Sequence, residues 1–386
     1  MSIADFSSTP KGIDNTIFVH SSFRVSSTWI WSKFRNLTDT ISYYEVFNEG
    51  LEKFDLKTVS AISGDIWKSN HPIVANYFIE YLPIIKDGGG IEGYEKSMSV
   101  DSFIPADGFY GSLSVGEKNY LERLIQHARA NRKIPVLTCT RTLGRIEAIK
   151  KDFPGRNIFL HRNIFHQWAS FSSQKINGNP YFFEKIEEMI KASRHDKFIC
   201  MIDDWYSSRI PSPHDESFFG IFILFHLYLY ANAYDSADLV IDATAMAKDA
   251  NLRQSVEGYL SEMVGSHVDL SDARSDFEFS LVNVRSHQFF IDTINQFTKI
   301  IAGYCRTEKS ARFIESMKSD ALEEWQRHEF YARKSRSFYT DRILECETLL
   351  EQEKAAHASV MAERDQLAER LATAPANGGG SVCAES

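Results

Sequence analysis

No Gly-Lys-[Ser/Thr] tripeptide occurs in this chain of 386 residues. A Walker A loop is therefore missing, and ordinary ATP or GTP hydrolysis is disfavoured. Cysteine is scarce: Cys139, Cys200, Cys305, Cys346 and Cys383 are scattered and odd in number. No pair has zinc-ligand spacing, so neither a disulfide framework nor a structural metal is indicated. No apolar run reaches the ~20 residues of a spanning helix. The longest, Phe218 to Tyr234, contains Gly220 and His226, and a buried helix is expected there, with no membrane span. The N-terminus, MSIADFSSTPKG, has no basic n-region and no apolar h-region. A secretory signal is not expected, and a soluble cytoplasmic protein follows. Positive charge is in the minority, with 43 Lys+Arg against 52 Asp+Glu and a formal net charge of −9. That argues against a coat for nucleic acid, which needs a strongly basic surface.

What the chain does have is a globular balance, 43% hydrophobic and 25% charged, which excludes wholesale disorder. The negative total also hides a basic stretch. Residues 129–175 hold ten Lys and Arg against only Glu147 and Asp152, a segment suited to one small polyanion.

Short apolar, β-branched runs alternate with helical stretches. Strands are expected at Thr16–His20, Ile41–Phe47, Ile134–Thr140, Asn157–His161, Phe198–Ile202 and Leu239–Asp242. Helices are expected at Ser26–Leu37, Glu117–Arg132, Arg145–Asp152 and Ile164–Ser172, and Asp87–Gly90 is a turn. The alternation predicts an α/β fold with a mainly parallel sheet flanked by helices. Residues 1–15 read as a flexible leader and 16–306 as one α/β domain. Residues 307–373 read as a helical extension, and 374–386 as a disordered tail. From Glu308 no Gly or Pro occurs until Pro375. A seven-residue repeat runs through Ile343, Cys346, Leu350, His357, Val360, Leu367 and Leu371, interrupted by Glu353 and Arg364. It reads as a weak coiled coil, with a homo-oligomer as its consequence, or as a solvated helix packed on the body.

Two segments carry chemistry. His20 to Trp29 lies between the first strand and the first helix. A loop there offers backbone N–H groups and the positive end of a helix dipole to a phosphate or sulfate. Ser26, Ser27 and Thr28 add hydroxyls and Arg24 a fixed positive charge; a plain helix cap is the competing reading. In the second segment, Arg162 ends a strand and Ser170 stands eight residues on. Two helical turns bring Ser170 toward the Arg162 side, so both can hold one anion; an ordinary connection with a surface arginine is the alternative.

Taken together, Arg24-Val-Ser-Ser-Thr-Trp29 and Arg162-Asn163 with Ser170 resemble the sulfotransferase family, with Pro135 to Gly144 similar to its bacterial carbohydrate-type members. The resemblance covers roughly residues 16–265. It implies a P-loop NTPase-like fold and 3′-phosphoadenosine 5′-phosphosulfate (PAPS) as donor, with 3′,5′-bisphosphoadenosine (PAP) as product and no metal. Arg24, Ser26, Ser27, Thr28 and Trp29 fall on the family's 5′-phosphosulfate loop, and Arg162 and Ser170 on its 3′-phosphate positions. Two positions depart from the pattern: Ser26 stands where the family has Gly, and Val25 where it has Ser. Serine can serve there if its backbone angles are ordinary. The implied function is transfer of a sulfuryl group to a hydroxyl, with a small-molecule or glycan acceptor. A nucleotide-sugar glycosyltransferase and a non-catalytic nucleotide-binding adaptor are the competing classes. Arg24 and Glu45 are the expected catalytic residues. Glu45, in an apolar strand end, is the first choice of base, followed by Glu49 and His71; pairing with an arginine such as Arg141 is the bland reading of Glu45.

Overall fold

The computed structural model describes residues 16–61, 76–274 and 278–373. Five strands form one all-parallel sheet: β1 (Ile17–Ser21), β2 (Thr40–Tyr44), β3 (Ile134–Cys139), β4 (Arg156–His161) and β5 (Leu239–Asp242). Their spatial order is β2-β3-β1-β4-β5. Around them lie α1 (Ser27–Arg35), α2 (Leu56–Ala61), α3 (Val115–Ala130), α4 (Ile146–Asp152), α5 (Ile164–Ile176), α6 (Tyr181–Ala192), α7 (Lys197–Trp205) and α8 (Glu216–Ser236). They are followed by α9 (Ala243–Lys248), α10 (Ala250–Val264), α11 (His287–Tyr304) and α12 (Glu308–Thr373).

The central strands are apolar on both faces, as a covered parallel sheet requires. In β1, Ile17 and Val19 pack with Ile30, Phe34 and Ile158, while Phe18 packs with Trp31, Tyr43 and Leu137 on the other face. α8 is apolar all round and passes through the largest core cluster. It is the one helix among the described residues long and apolar enough to cross a membrane, and 89% of that stretch is buried inside the protein.

One expected strand is a helix. Phe198–Ile202 belongs to α7, because Asp196 caps it by accepting from the amides of Phe198 (2.9 Å) and Ile199 (3.0 Å). Phe198, Ile199 and Ile202 are buried and Met201 is exposed, a helical spacing and not a strand's alternation. The second strand stops at Tyr44, before the expected Phe47, because Glu45 turns the chain at φ 49°.

The compact body runs through His328, past the expected boundary at 306. The reason is a stripe on α12: Ser310, Phe313, Ile314, Met317, Ala321, Trp325 and His328 are all buried. Trp325 lies 5.2 Å from Phe290 and 6.2 Å from Phe219, ring to ring. The rest of α12, from Glu329, belongs to a second unit and is a single helix with exposed side chains along its length. The expected leader at 1–15, the tail at 374–386 and His71 lie outside the described residues.

The strand order reverses direction between β1 and β4. The chain leaves β1 toward β2 on one side of the sheet and leaves β4 toward β5 on the other. Between the carboxyl ends of two such strands, no connection covers the sheet edge, and parallel α/β proteins bind ligands there. Both chemistry-bearing segments follow these two strands.

Candidate anion site at the ends of β1 and β4

The loop after β1 is built on strained backbone. Arg24 has φ 62° and Ser26 has φ 68°, both left-handed. Ser26 is thus not in the ordinary conformation that would let serine replace glycine without cost; it keeps the backbone shape a glycine would take, at a steric cost of about 1–2 kcal/mol. Its side chain makes no capping hydrogen bond to α1, so the reading of this segment as a plain helix cap fails for Ser26. The first turn of α1 is left with amide donors that its own cap does not satisfy. Ser27 and Thr28 follow, both buried, and Thr28 shares a 2.8 Å hydrogen bond with the Tyr44 hydroxyl.

The two segments meet here. Arg24 Nε donates to Ser170 Oγ at 2.9 Å across 146 residues of chain, and Arg162 Nη1 reaches the Arg24 carbonyl at 3.4 Å. Ser170 is 2% exposed, in the second turn of α5. Asn163 starts that helix by accepting from the amides of Phe165 and His166 at 2.9 and 3.1 Å. The Arg24 guanidinium sits 5.5 Å from the Phe182 ring centre, a cation–π contact that lets a charge sit beside apolar surface. Trp29 faces elsewhere: its indole N–H donates to Asp272 (3.1 Å), and Lys33 sits 5.4 Å from its ring centre.

A buried network pins the loop from below. His226 Nδ1 lies 2.8 Å from the Phe222 carbonyl and must donate to it. Its Nε2 is therefore an acceptor, and Ser22 Oγ (2.9 Å) and Gln167 Nε2 (3.1 Å) donate to it. The same Gln167 amide donates to the Phe23 carbonyl at 2.7 Å, and Tyr230 donates to Gln167 Oε1 at 2.8 Å. Burial lowers the His226 pKa to about 4, so the neutral tautomer holds at ordinary pH. None of these pinning residues stands out in sequence except His226, whose presence in an apolar run signals a buried partner.

Beside the loop lies an ionic cluster on Arg141, whose guanidinium is 5.0 Å from the Phe23 ring centre. Arg141 is 1% exposed and donates to Glu45 Oε2 at 2.7 Å, Glu49 Oε2 at 2.6 Å and the Tyr181 hydroxyl at 2.6 Å. Glu45 also accepts from the Thr140 amide (3.2 Å) and hydroxyl (2.7 Å). The pairing of Glu45 with an arginine is thus present. The two carboxylates differ in electrostatics. Burial pushes the Glu45 pKa up, against the pull of Arg141 and Thr140. Burial also opposes ionisation of Glu49, yet Arg141, with Lys185 and Tyr181, brings its pKa down to about 2. Arg141 thus pairs with both carboxylates, Glu49 held well below and Glu45 above the ordinary range.

Among the described residues, no group of three or more His, Cys, Asp or Glu side chains is placed to hold a metal ion. The chain matches no family model, no curated protein and no solved structure.

Proposed function

We propose that this chain is a PAPS-dependent sulfotransferase of P-loop-like fold that acts on a hydroxyl acceptor, such as a carbohydrate or glycoconjugate. The observation that carries the reading is the Arg24–Ser170 hydrogen bond. It joins two segments 146 residues apart in the chain, one after β1 and one after β4, at the sheet's switch point.

The donor set suits a ligand with two separate phosphate-type groups. The uncapped start of α1, Ser27, Thr28 and Arg24 supply backbone amides, hydroxyls and a delocalised cation for the sulfated end. Arg162 and Ser170 supply a cation and a hydroxyl for the second phosphate. Ser170 accepts from Arg24, so its own O–H proton is left to donate outward. Sulfuryl transfer needs alignment and charge stabilisation at the leaving oxygen more than covalent help from the protein. Arg24 takes the charge that grows on that oxygen. Glu45 accepts the proton of the attacking hydroxyl, after a small shift away from Arg141, which Glu49 continues to neutralise.

Thermal stabilisation tests the reading. PAP should raise the melting temperature of the full chain well above any effect of ATP or a UDP-sugar, because it binds only the folded state. No shift with PAP defeats the proposal, and a shift with a UDP-sugar alone favours a glycosyltransferase. Arg24→Ala should lower transfer by at least 100-fold, and Arg162→Ala should weaken PAP binding; normal transfer by the first variant removes Arg24 from the reaction.

One observation favours a second reading, the non-catalytic adaptor. Arg141 engages both carboxylates at once, which suits a chain that binds the nucleotide without turning it over. A PAP shift with no transfer to any hydroxyl would support it.

A further inference from the structure

The part of α12 beyond His328 leaves a row of apolar side chains open. Ile343, Leu350, Val360 and Leu367 are each more than half exposed. They fall on the inner positions of a seven-residue repeat, together with Cys346, Glu353, His357 and Arg364. Inner positions of such a repeat are the ones that a helical partner covers in a coiled coil.

The two charges in the row decide how a like surface meets it. In a parallel pair each inner residue faces its own copy. Glu353 then meets Glu353 and Arg364 meets Arg364, two like-charge layers in the seam. In an antiparallel pair, facing residues have numbers with a constant total. If Leu350 faces Leu367, then Glu353 faces Arg364 and His357 faces Val360, each pair occurring twice by two-fold symmetry. The flanking positions agree: Leu349 comes beside Arg370, Ala356 beside Glu363, Glu347 beside Ala368 and Lys354 beside Met361, with no like charges opposed. The same two residues that break the repeat complement each other in one orientation only. In the single chain Arg364 turns instead to its neighbour Asp365, at 2.8 Å, an exposed contact that is readily exchanged.

We propose that α12 from about Ile343 onward binds a second copy of this chain in antiparallel register, with Glu353 of each copy against Arg364 of the other. The inference is independent of the proposed catalysis. The seam has only two leucine layers, so the dimer is concentration-dependent and sensitive to salt.

Sedimentation equilibrium on the full chain, at several concentrations and without reductant-free ageing, reads the association constant. A monomer–dimer equilibrium in the micromolar range is expected; a monomer at 100 micromolar (about that limit) overturns the proposal. Glu353→Arg and Arg364→Glu should each weaken association at least tenfold, and the double swap should restore it. In a parallel pair the double swap would still oppose like charges and restore nothing. These positions are exposed, so the body's folding is not at risk, and far-UV circular dichroism checks that the helix persists. Cysteine oxidation gives a second reading. In the antiparallel pair the two Cys346 residues stand ~37 Å apart along the seam, out of disulfide range. In a parallel pair they would face each other. Rapid formation of a Cys346–Cys346 disulfide dimer overturns the antiparallel register, and no such link upholds it.

Discussion

Ser26 holds a left-handed backbone, φ 68° and ψ 22°, with a Cβ that this region crowds. Removing the Cβ relieves the crowding, so Ser26→Gly should stabilise the protein by about 1 kcal/mol, read as a higher urea midpoint. It should not weaken PAP binding, since the loop keeps its path. Arg24 and Glu45 share this positive-φ geometry, at 62° and 49°. Three of the candidate residues thus sit on backbone that only the surrounding packing maintains, as strained functional sites do. Glu45→Gln and Glu49→Gln should separate the two carboxylates. The first should cut transfer about 100-fold or more, and should also cost stability because Arg141 loses one of its two carboxylate partners. The second removes the counter-charge of a buried arginine and should cost about 3 kcal/mol or more in denaturant unfolding. Equal turnover in Glu45→Gln and the parent would take the base role from Glu45. In sequence, Arg24, Arg162 and Ser170 could be chosen because their spacing relates them to strand and helix ends. The Arg141–Glu45 pair is legible as an alternative reading of Glu45, but the further partners Glu49 and Tyr181 are not, because they lie 92 and 40 residues from Arg141 with no local signal. Ser22, Gln167 and Tyr230 carried no local signal, since a single buried hydrogen bond leaves no period in the chain.

At the level of elements, parallel strands were the readiest to find, because burial on both faces leaves a continuous apolar run. The same rule reads α7 as a strand, because its Phe198–Ile202 run is apolar, yet the run opens behind an Asp196 cap. Cap chemistry was the better guide there. α12 divides differently from its composition. Its freedom from Gly and Pro is uniform, but its first turns insert Phe313, Ile314 and Trp325 into the body. A chain ending after residue 328 should fold with an unchanged melting transition. A chain ending after 306 should lose cooperative unfolding, because it strips the cover from Phe219 and Phe290. Near-UV circular dichroism, sensitive to Trp325 and its neighbours, reads the difference. Equal stability of the two truncations would contradict the place assigned to this helix.

For the molecule as a whole, pH acts through buried imidazoles. His20, His166 and His226 have pKa values lowered to about 4, first by burial, from an ordinary 6.5. Between pH 6.5 and 4 the unfolded chain takes up protons that these folded sites refuse, so stability falls as pH falls through that window. Each fully buried ring contributes up to about 3 kcal/mol of that loss. Glu49 adds a slope of the same sign lower down: its folded pKa is about 2 against 4.5, so its stabilisation is present above 4.5 and lost toward 2. Urea midpoints should decline from pH 7 to pH 4.5, less steeply than the rings alone dictate because Glu45 and Glu80, raised by burial, act with the opposite sign; a rise in stability over that range would contradict the dominance of the rings. The α/β class was legible from alternation alone, while the sheet order was not, because pairing is set by which crossovers pack and not by any strand's own residues. That order has a consequence for how the chain is made. Ser22 is held by His226, 204 residues later, and Arg24 by Ser170. The loop after β1 is synthesised well before its anchors, since Ser170 follows Arg24 by 146 residues and His226 follows Ser22 by 204. The site is therefore completed late in folding, and a nascent chain that stalls before α8 carries the motif without the means to hold its shape.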